Sequence, residues 1–286
     1  MERTTPVEES LERLRRRLAQ EERLIVAFSG GVDSCLLAAV AGGELGDRAL
    51  SVTAVSASLP AAERSFARSF ARTHRLRHLE LCTDEQDRPE YRANGGDRCY
   101  HCKDALFRAI APLAEMLGAA VALGTNTDDL GDHRPGLRAA ASWHAIAPLV
   151  DAGFDKATVR RAAHALGLES ADKPAAACLA SRVAYGDEVT EELLARIEVA
   201  EVALRALGFS ECRVRAHARG TVARLEVPER DIDRAAALSA RIDAAVREAG
   251  FAFCALDLAG FRSGRMNVLL GMPTVGPPTP VGESGG

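Results

Sequence analysis

Ser29-Gly30-Gly31-Val32-Asp33-Ser34 lies between an apolar run, residues 24–28, and a helix-like run, residues 35–41. Two glycines let the backbone turn tightly and bring successive N–H groups against an anion. A helix following the turn adds its free amide donors and the positive end of its dipole. Ser29 and Ser34 contribute hydroxyl donors, while Asp33 repels phosphate, so its carboxylate suits the Mg²⁺ that accompanies a nucleotide triphosphate. The loop reads as the pyrophosphate site for ATP. A strand turning into a helix through Gly-Gly, with Ser34 as a cap, would use the same residue types. The complete six-residue string between strand and helix favours the nucleotide. Without a Lys before the Ser it is not a Walker A loop.

The segment Lys173-Pro174-Ala175-Ala176-Ala177-Cys178-Leu179-Ala180-Ser181-Arg182 reads as a polar-flanked loop with one cysteine near a cation. Arg182 would favour the thiolate, which is the nucleophilic form. A small apolar residue packed at a domain junction would also explain Cys178. Arg213-Val214-Arg215 on a predicted strand puts two guanidinium groups on one face by period-2 alternation. Such a pair is unfavourable unless an anion or carboxylate joins it, so the pattern suits a phosphate or carboxylate site, or two solvated arginines. Cys99 and Cys102 form a C-x-x-C around His101, half of a zinc or iron–sulfur site whose other half is not evident, Cys82 being the nearest thiol in sequence. Metal, redox and unliganded readings all stay open.

The elements that must position these groups begin with a helix opened by the capping box at Thr5 and Glu8, carrying Leu11, Leu14 and Leu18 on one face. Strands are expected at 24–28, 49–56, 77–81 and 120–123, and helices at 61–74, 106–117 and 158–166, with Gly118 and Gly167 as stops. This alternation predicts an α/β domain with a doubly wound parallel sheet over residues 1–168. Ligands of such sheets bind beyond the carboxyl ends of the strands, which is where the glycine loop, Ser56 and Gly124-Thr125-Asn126 fall. Residues 169–189 read as an irregular connection carrying Cys178. Residues 190–272 read as a smaller α+β domain: a helix at 190–207, a hairpin at 212–217 and 222–227, a helix at 231–249 and a strand at 251–258. The Pro- and Gly-rich stretch 273–286 reads as a disordered tail.

With 286 residues, 47% hydrophobic and 27% charged, the chain can bury a core large enough for two domains. Its net charge of −4 argues against a protein that coats nucleic acid and leaves small-molecule substrates. The basic residues are overwhelmingly Arg, with Lys only at 103, 156 and 173, a bias that abundant Ala ties to genome composition. No apolar stretch has the form of a signal peptide or the length of a membrane span, so the expected location is the cytoplasm. Seven scattered cysteines, an odd number, make a disulfide framework an unsuitable reading.

The string SGGVDS resembles the PP-loop of the N-type ATP pyrophosphatases, which cleave ATP between the α and β phosphates and adenylate an acceptor. In the order SGGVDS, RCYHCK, ALGTNTDD, RPGLRAA, CLASR, RVRAH and ARLEV, the chain resembles the LarE family from about Leu11 to Leu270. Members of that family are ATP-dependent sacrificial sulfur transferases that build the nickel-pincer nucleotide cofactor of lactate racemase. The resemblance implies that a carboxylate of pyridinium-3,5-biscarboxylic acid mononucleotide is adenylated, captured by Cys178 and released as a thiocarboxylate, leaving dehydroalanine. It also implies ATP and Mg²⁺ as cofactors, Ser181, Arg182, Glu201, Arg213 and Arg215 on the substrate side, and a homo-oligomer, a hexamer. Carboxylating and nickel-inserting proteins would act before and after it. Asp128 and Asp129 suit either metal or substrate orientation, or a helix cap with solvated acids. Arg134 and Arg138 fall in a predicted loop able to close over phosphates. Some members carry a cluster on three cysteines near the active site; here that segment holds Cys178 alone, which favours sacrificial transfer. Two other functions fit the cradle: a PP-loop tRNA thiolase, and a module that binds adenine nucleotide without turnover.

Overall fold

The structure is a computed structural model and describes residues 5–131, 135–262 and 266. It divides into two compact units, residues 1–92 with 97–179, and residues 93–96 with 180–286. Residues 169–179 therefore belong with the first unit and 180–189 with the second, where the sequence suggested one connecting segment.

In the first unit the elements run α1 (Pro6–Leu18), β1 (Leu24–Ala27), α2 (Val32–Leu45), β2 (Ala49–Val55), α3 (Ala61–Thr73), β3 (His78–Cys82), α4 (Pro89–Arg92), α5 (Arg98–Leu117), β4 (Ala120–Ala122), α6 (Pro135–Ser142), α7 (Pro148–Asp151) and α8 (Lys156–Ala165). The four strands pair in parallel in the order β3-β2-β1-β4. Strand β1 is buried along its whole length because both of its faces are covered, which is why it reads as an unbroken apolar run. Leu24 and Val26 face a core built with Leu11, Leu14, Leu36, Phe70 and Val159, and Ile25 and Ala27 face another built with Phe107 and Ile110. Helices thus cover both faces of an α/β PP-loop fold. The chain leaves β1 toward β2 on one side and finds β4 on the other, so the order reverses beside β1. Ligands of open parallel sheets settle in the crevice at such a reversal.

Helix α5 begins at Arg98, eight residues before the amphipathic stretch that the sequence marks, and its first two turns carry Cys99 and Cys102. The early turns escaped the pattern because their apolar positions are few. Thr5 and Glu8 form the expected capping box, with Thr5 N donating to Glu8 Oε2 at 2.6 Å and Glu8 N to Thr5 Oγ1 at 3.3 Å.

The second unit contains α9 (Glu191–Ala206), β5 (Arg213–His217), β6 (Val222–Glu226), α10 (Ile232–Ala237), α11 (Ser239–Glu248) and β7 (Phe253–Leu256). Strands β5 and β6 are antiparallel, and β7 joins β6 in parallel. The single helix expected at 231–249 is interrupted at Leu238, whose ψ of 14° departs from helical backbone. Asn94 belongs to this unit: fully buried at φ 54°, it donates through Nδ2 to the carbonyls of Ala184 at 2.8 Å and Asp187 at 3.0 Å. The expected tail at 273–286 lies outside the described residues.

Candidate active site

The phosphate loop follows β1 and is organised from within. Gly30 takes a φ of 74°, a conformation that suits glycine, and Gly31 is the N-cap of α2. Ser34, almost fully buried, donates through Oγ to the Gly31 carbonyl at 3.0 Å and accepts from Ser29 N at 3.2 Å. Its hydroxyl closes the loop on itself, while Ser29, bonded to Ser34 through the two hydroxyls at 3.1 Å, is exposed. Among the described residues no side chain caps the N-terminus of α2, so its first amides stay available to an anion.

Helix α2 and the turn after β4 meet closely. A Cβ on Gly124 would lie 2.8 Å from Ser34 N and 3.0 Å from Asp33 C, so only glycine allows this approach of two backbones. Two residues on, buried Asn126 donates through Nδ2 to Asp33 Oδ1 at 3.0 Å, and its own Oδ1 accepts from the amides of Asp128 at 3.0 Å and Asp129 at 3.3 Å. Lys156, at the start of α8, is ion-paired through Nζ with Asp33 Oδ2. Asp128 accepts from Lys156 N at 2.9 Å and Asp129 from Asn126 N at 3.1 Å, so both carboxylates shape the turn. Thr125 lies between, half-buried, and Ser56, beyond β2, accepts from Ser58 N at 3.2 Å.

Among the described residues no three His, Cys, Asp or Glu side chains gather as a metal site of their own. Magnesium needs none: it takes one or two carboxylates and completes its shell with phosphate oxygens and water. Asp33, at the mouth of an uncapped cradle and already oriented by two N–H donors, fits that demand and is the residue that would hold the ion.

Cys178 is exposed, at the end of a wholly exposed run, 174–178. The run starts after Lys173, whose Nζ donates to the Gly30 carbonyl at 2.9 Å, and ends where Leu179 N donates to the Ser58 carbonyl at 2.9 Å. Both anchors lie beyond carboxyl ends of strands, β1 for Gly30 and β2 for Ser58. A charge on Cys178 also disfavours ionisation of Tyr91 and of Cys102, so the three share one region of the first unit. Burial, reinforced by Glu85, pushes the Cys102 thiol up to about 12 and keeps it protonated at neutral pH. Tyr91, raised chiefly by burial, is hydrogen-bonded to Ser58 Oγ.

In the second unit the expected substrate-side residues form a buried charge network. Glu201, 1% exposed, accepts from Arg182 Nε at 3.0 Å, from an Arg205 guanidinium nitrogen at 2.8 Å and from Val214 N at 3.2 Å. Its oxygens are occupied, so it acts as a positioning group. Arg182, expected to favour the Cys178 thiolate, is buried and answered by Glu201. Arg215 reaches Glu226 at 2.9 Å and the Ser181 carbonyl at 2.9 Å. Arg213 is different. It donates to the Cys212 carbonyl at 2.9 Å and lies 5.3 Å from the Phe261 ring centroid, but no described carboxylate pairs with it. Burial, then the cations of Arg182 and Arg215, pull its pKa below the usual arginine value.

Arg134 lies outside the described residues, and Arg138 is on helix α6 rather than in a loop, exposed and 5.5 Å from the Tyr100 ring centroid. Sequence alone assigned no role to Lys156 or Lys173. The available signal was rarity, since an Arg-rich chain has only three lysines and two of them sit at the phosphate loop.

Comparison with known proteins agrees with this geometry. Residues 7–94, which contain the phosphate loop, match the asparagine synthase family. An uncharacterized protein of Synechocystis sp. is 39% identical, over 92% of this chain and 99% of that protein. Pyridinium-3,5-bisthiocarboxylic acid mononucleotide synthase of Lactiplantibacillus plantarum is 36% identical, over 86% of this chain and 89% of its own length. An uncharacterized protein of Methanocaldococcus jannaschii is 26% identical over 72% of this chain. With an uncapped phosphate cradle after β1 and relatives matched over nearly their whole length, the chain belongs to the LarE family of PP-loop proteins.

Proposed function

We propose that this protein is an ATP-dependent sulfur transferase that converts a carboxylate of pyridinium-3,5-biscarboxylic acid mononucleotide into a thiocarboxylate with the sulfur of Cys178. The observation that carries the proposal is the display of Cys178 on an exposed run strung between the phosphate loop and the end of β2. The likeness to the Lactiplantibacillus synthase supports the choice of substrate.

The substrate carboxylate attacks the α-phosphorus of ATP and pyrophosphate departs. The amides of the 29–34 loop and the N-terminus of α2 receive the departing charge, and Lys156 adds an ammonium beside it. Magnesium held at Asp33 would neutralise part of the phosphate charge. The Cys178 thiolate then attacks the acyl carbon and AMP leaves, joining substrate to protein through a thioester. Removal of the Cys178 Cα proton drives the cleavage of Cβ–S. The electron pair leaves with sulfur as the thiocarboxylate, and a Cα=Cβ double bond remains in the chain. In the second unit Arg213, a half-buried cation with no ion-paired carboxylate among the described residues, supports an anion site for the mononucleotide phosphate or its second carboxylate. Carboxylating and nickel-inserting proteins would supply the substrate and take the product.

Intact-protein mass spectrometry after incubation with ATP, Mg²⁺ and the mononucleotide tests this reading. A loss of about 34 Da, the mass of H₂S removed from a cysteine by elimination, should map to Cys178. Thiolated product with Cys178 unchanged would refute the donor assignment, and absence of pyrophosphate release would refute the enzyme.

A further inference from the structure

The phosphate loop lacks a lysine in its own sequence, and the fold brings one to it. Lys173 Nζ donates to the Gly30 carbonyl at 2.9 Å and to Glu63 Oε2 at 2.6 Å, and sits 3.8 Å from the centroid of the Phe66 ring. The two side chains of the ion pair are only 14% and 19% exposed, so water screens it weakly. The main chain at this residue is held as well. Its amide donates to the Ser170 carbonyl at 3.1 Å and its carbonyl accepts from Arg160 at 3.3 Å.

From this fixed point the exposed run 174–178 begins, opened by Pro174, whose ring restrains the first backbone rotation. The run ends at Cys178, immediately before Leu179 is tied to Ser58. The ammonium at the head of the segment therefore rests on the loop that would receive pyrophosphate. A ligand shifts a conformational equilibrium only through contacts that differ between the states. Phosphate oxygens in the loop compete with Glu63 and the Gly30 carbonyl for the Lys173 ammonium, and that competition supplies the difference.

We propose that Lys173 is a positioning residue that couples occupancy of the phosphate loop to the placement of Cys178. The inference rests on reading the loop as an ATP site and gives that reading an order of events: the donor segment responds to the nucleotide before any sulfur moves.

The experiment follows the rate at which iodoacetamide alkylates Cys178, resolved by peptide mapping, in the full chain with and without ATP and Mg²⁺, with ATP affinity measured by calorimetry on the same samples. In the unsubstituted protein ATP should change the rate by about fivefold or more, the lower end of ordinary coupling between sites. Lys173→Met should bind ATP and lose the change, and Lys173→Arg, which keeps the cation, should restore part of it. Glu63→Gln, which frees the ammonium from its carboxylate, should shrink the change and serves where Lys173→Met does not fold. Lys173→Met responding to ATP like the unsubstituted protein would overturn the coupling, as would an unsubstituted protein that binds ATP with no change at Cys178. An unsubstituted protein that binds no ATP would overturn the ATP reading itself and the coupling with it.

Discussion

Arg182 and Arg215 are buried in ion pairs with carboxylates, whereas Arg213 is ion-paired with none among the described residues and feels Glu201 only alongside the repulsion of both arginines. This difference gives substitutions in one network opposite signs. Glu201→Ala removes the carboxylate that the buried Arg182 guanidinium is paired with and should cost about 3–5 kcal/mol in chemical denaturation. Arg213→Gln removes a repelled cation, so stability should hold or rise. The same variant should bind the mononucleotide about tenfold or more weakly in calorimetry, the loss expected of one charge-assisted hydrogen bond. Arg213 and Arg215 were legible as a charge site, and Glu201 came in only through the family resemblance; that Glu201 faces arginine rather than substrate was not legible, because pairing depends on which strand and helix meet.

The turn after β4 and helix α2 meet at Gly124, where an added Cβ would press on the backbone of Asp33 and Ser34 rather than on a yielding side chain. Gly124→Ala should therefore cost about 1–3 kcal/mol, typical of overpacking. It should also weaken ATP binding more than it lowers the melting temperature suggests, because the displaced atoms are the loop's own; paired calorimetry and thermal denaturation check this. The alternation of strands and helices in the first unit could be read along the chain, since each strand is a short apolar run and most helices carry a cap or a glycine stop. The first turns of α5 could not. Their residues, with exposed Cys99 and half-buried Cys102 among them, offer few apolar positions and show little periodicity of their own.

Across the molecule, stability should decline on mild acidification through a histidine in each unit. Burial pulls His78 below the ordinary histidine value; its Nε2–H donates to Thr53 Oγ1 at 2.8 Å, and Thr53 in turn donates to the Phe28 carbonyl at 2.7 Å, just before the phosphate loop. Burial, then Arg224, does the same to His217, whose Nε2 accepts from Arg224 Nε at 3.1 Å. With both folded values below the unfolded one, the unfolded chain binds protons first. Their contribution is complete above about pH 6.5 and is lost as pH falls through the folded values. Thermal denaturation at a series of pH values should show that decline, and His78→Gln should flatten part of it. By itself the sequence determined the glycine loop, the parallel α/β frame, a candidate nucleophile at Cys178 and the paired arginines, because each is written in local spacing or in a contiguous string. Tertiary structure alone decided that Lys156 meets Asp33, that Lys173 ties the cysteine segment to Gly30, that Cys102 is a half-buried thiol in the region of Cys178, and that Arg213 is ion-paired with no carboxylate among the described residues. These are matters of charge and burial between residues far apart in the chain, and only folding sets them.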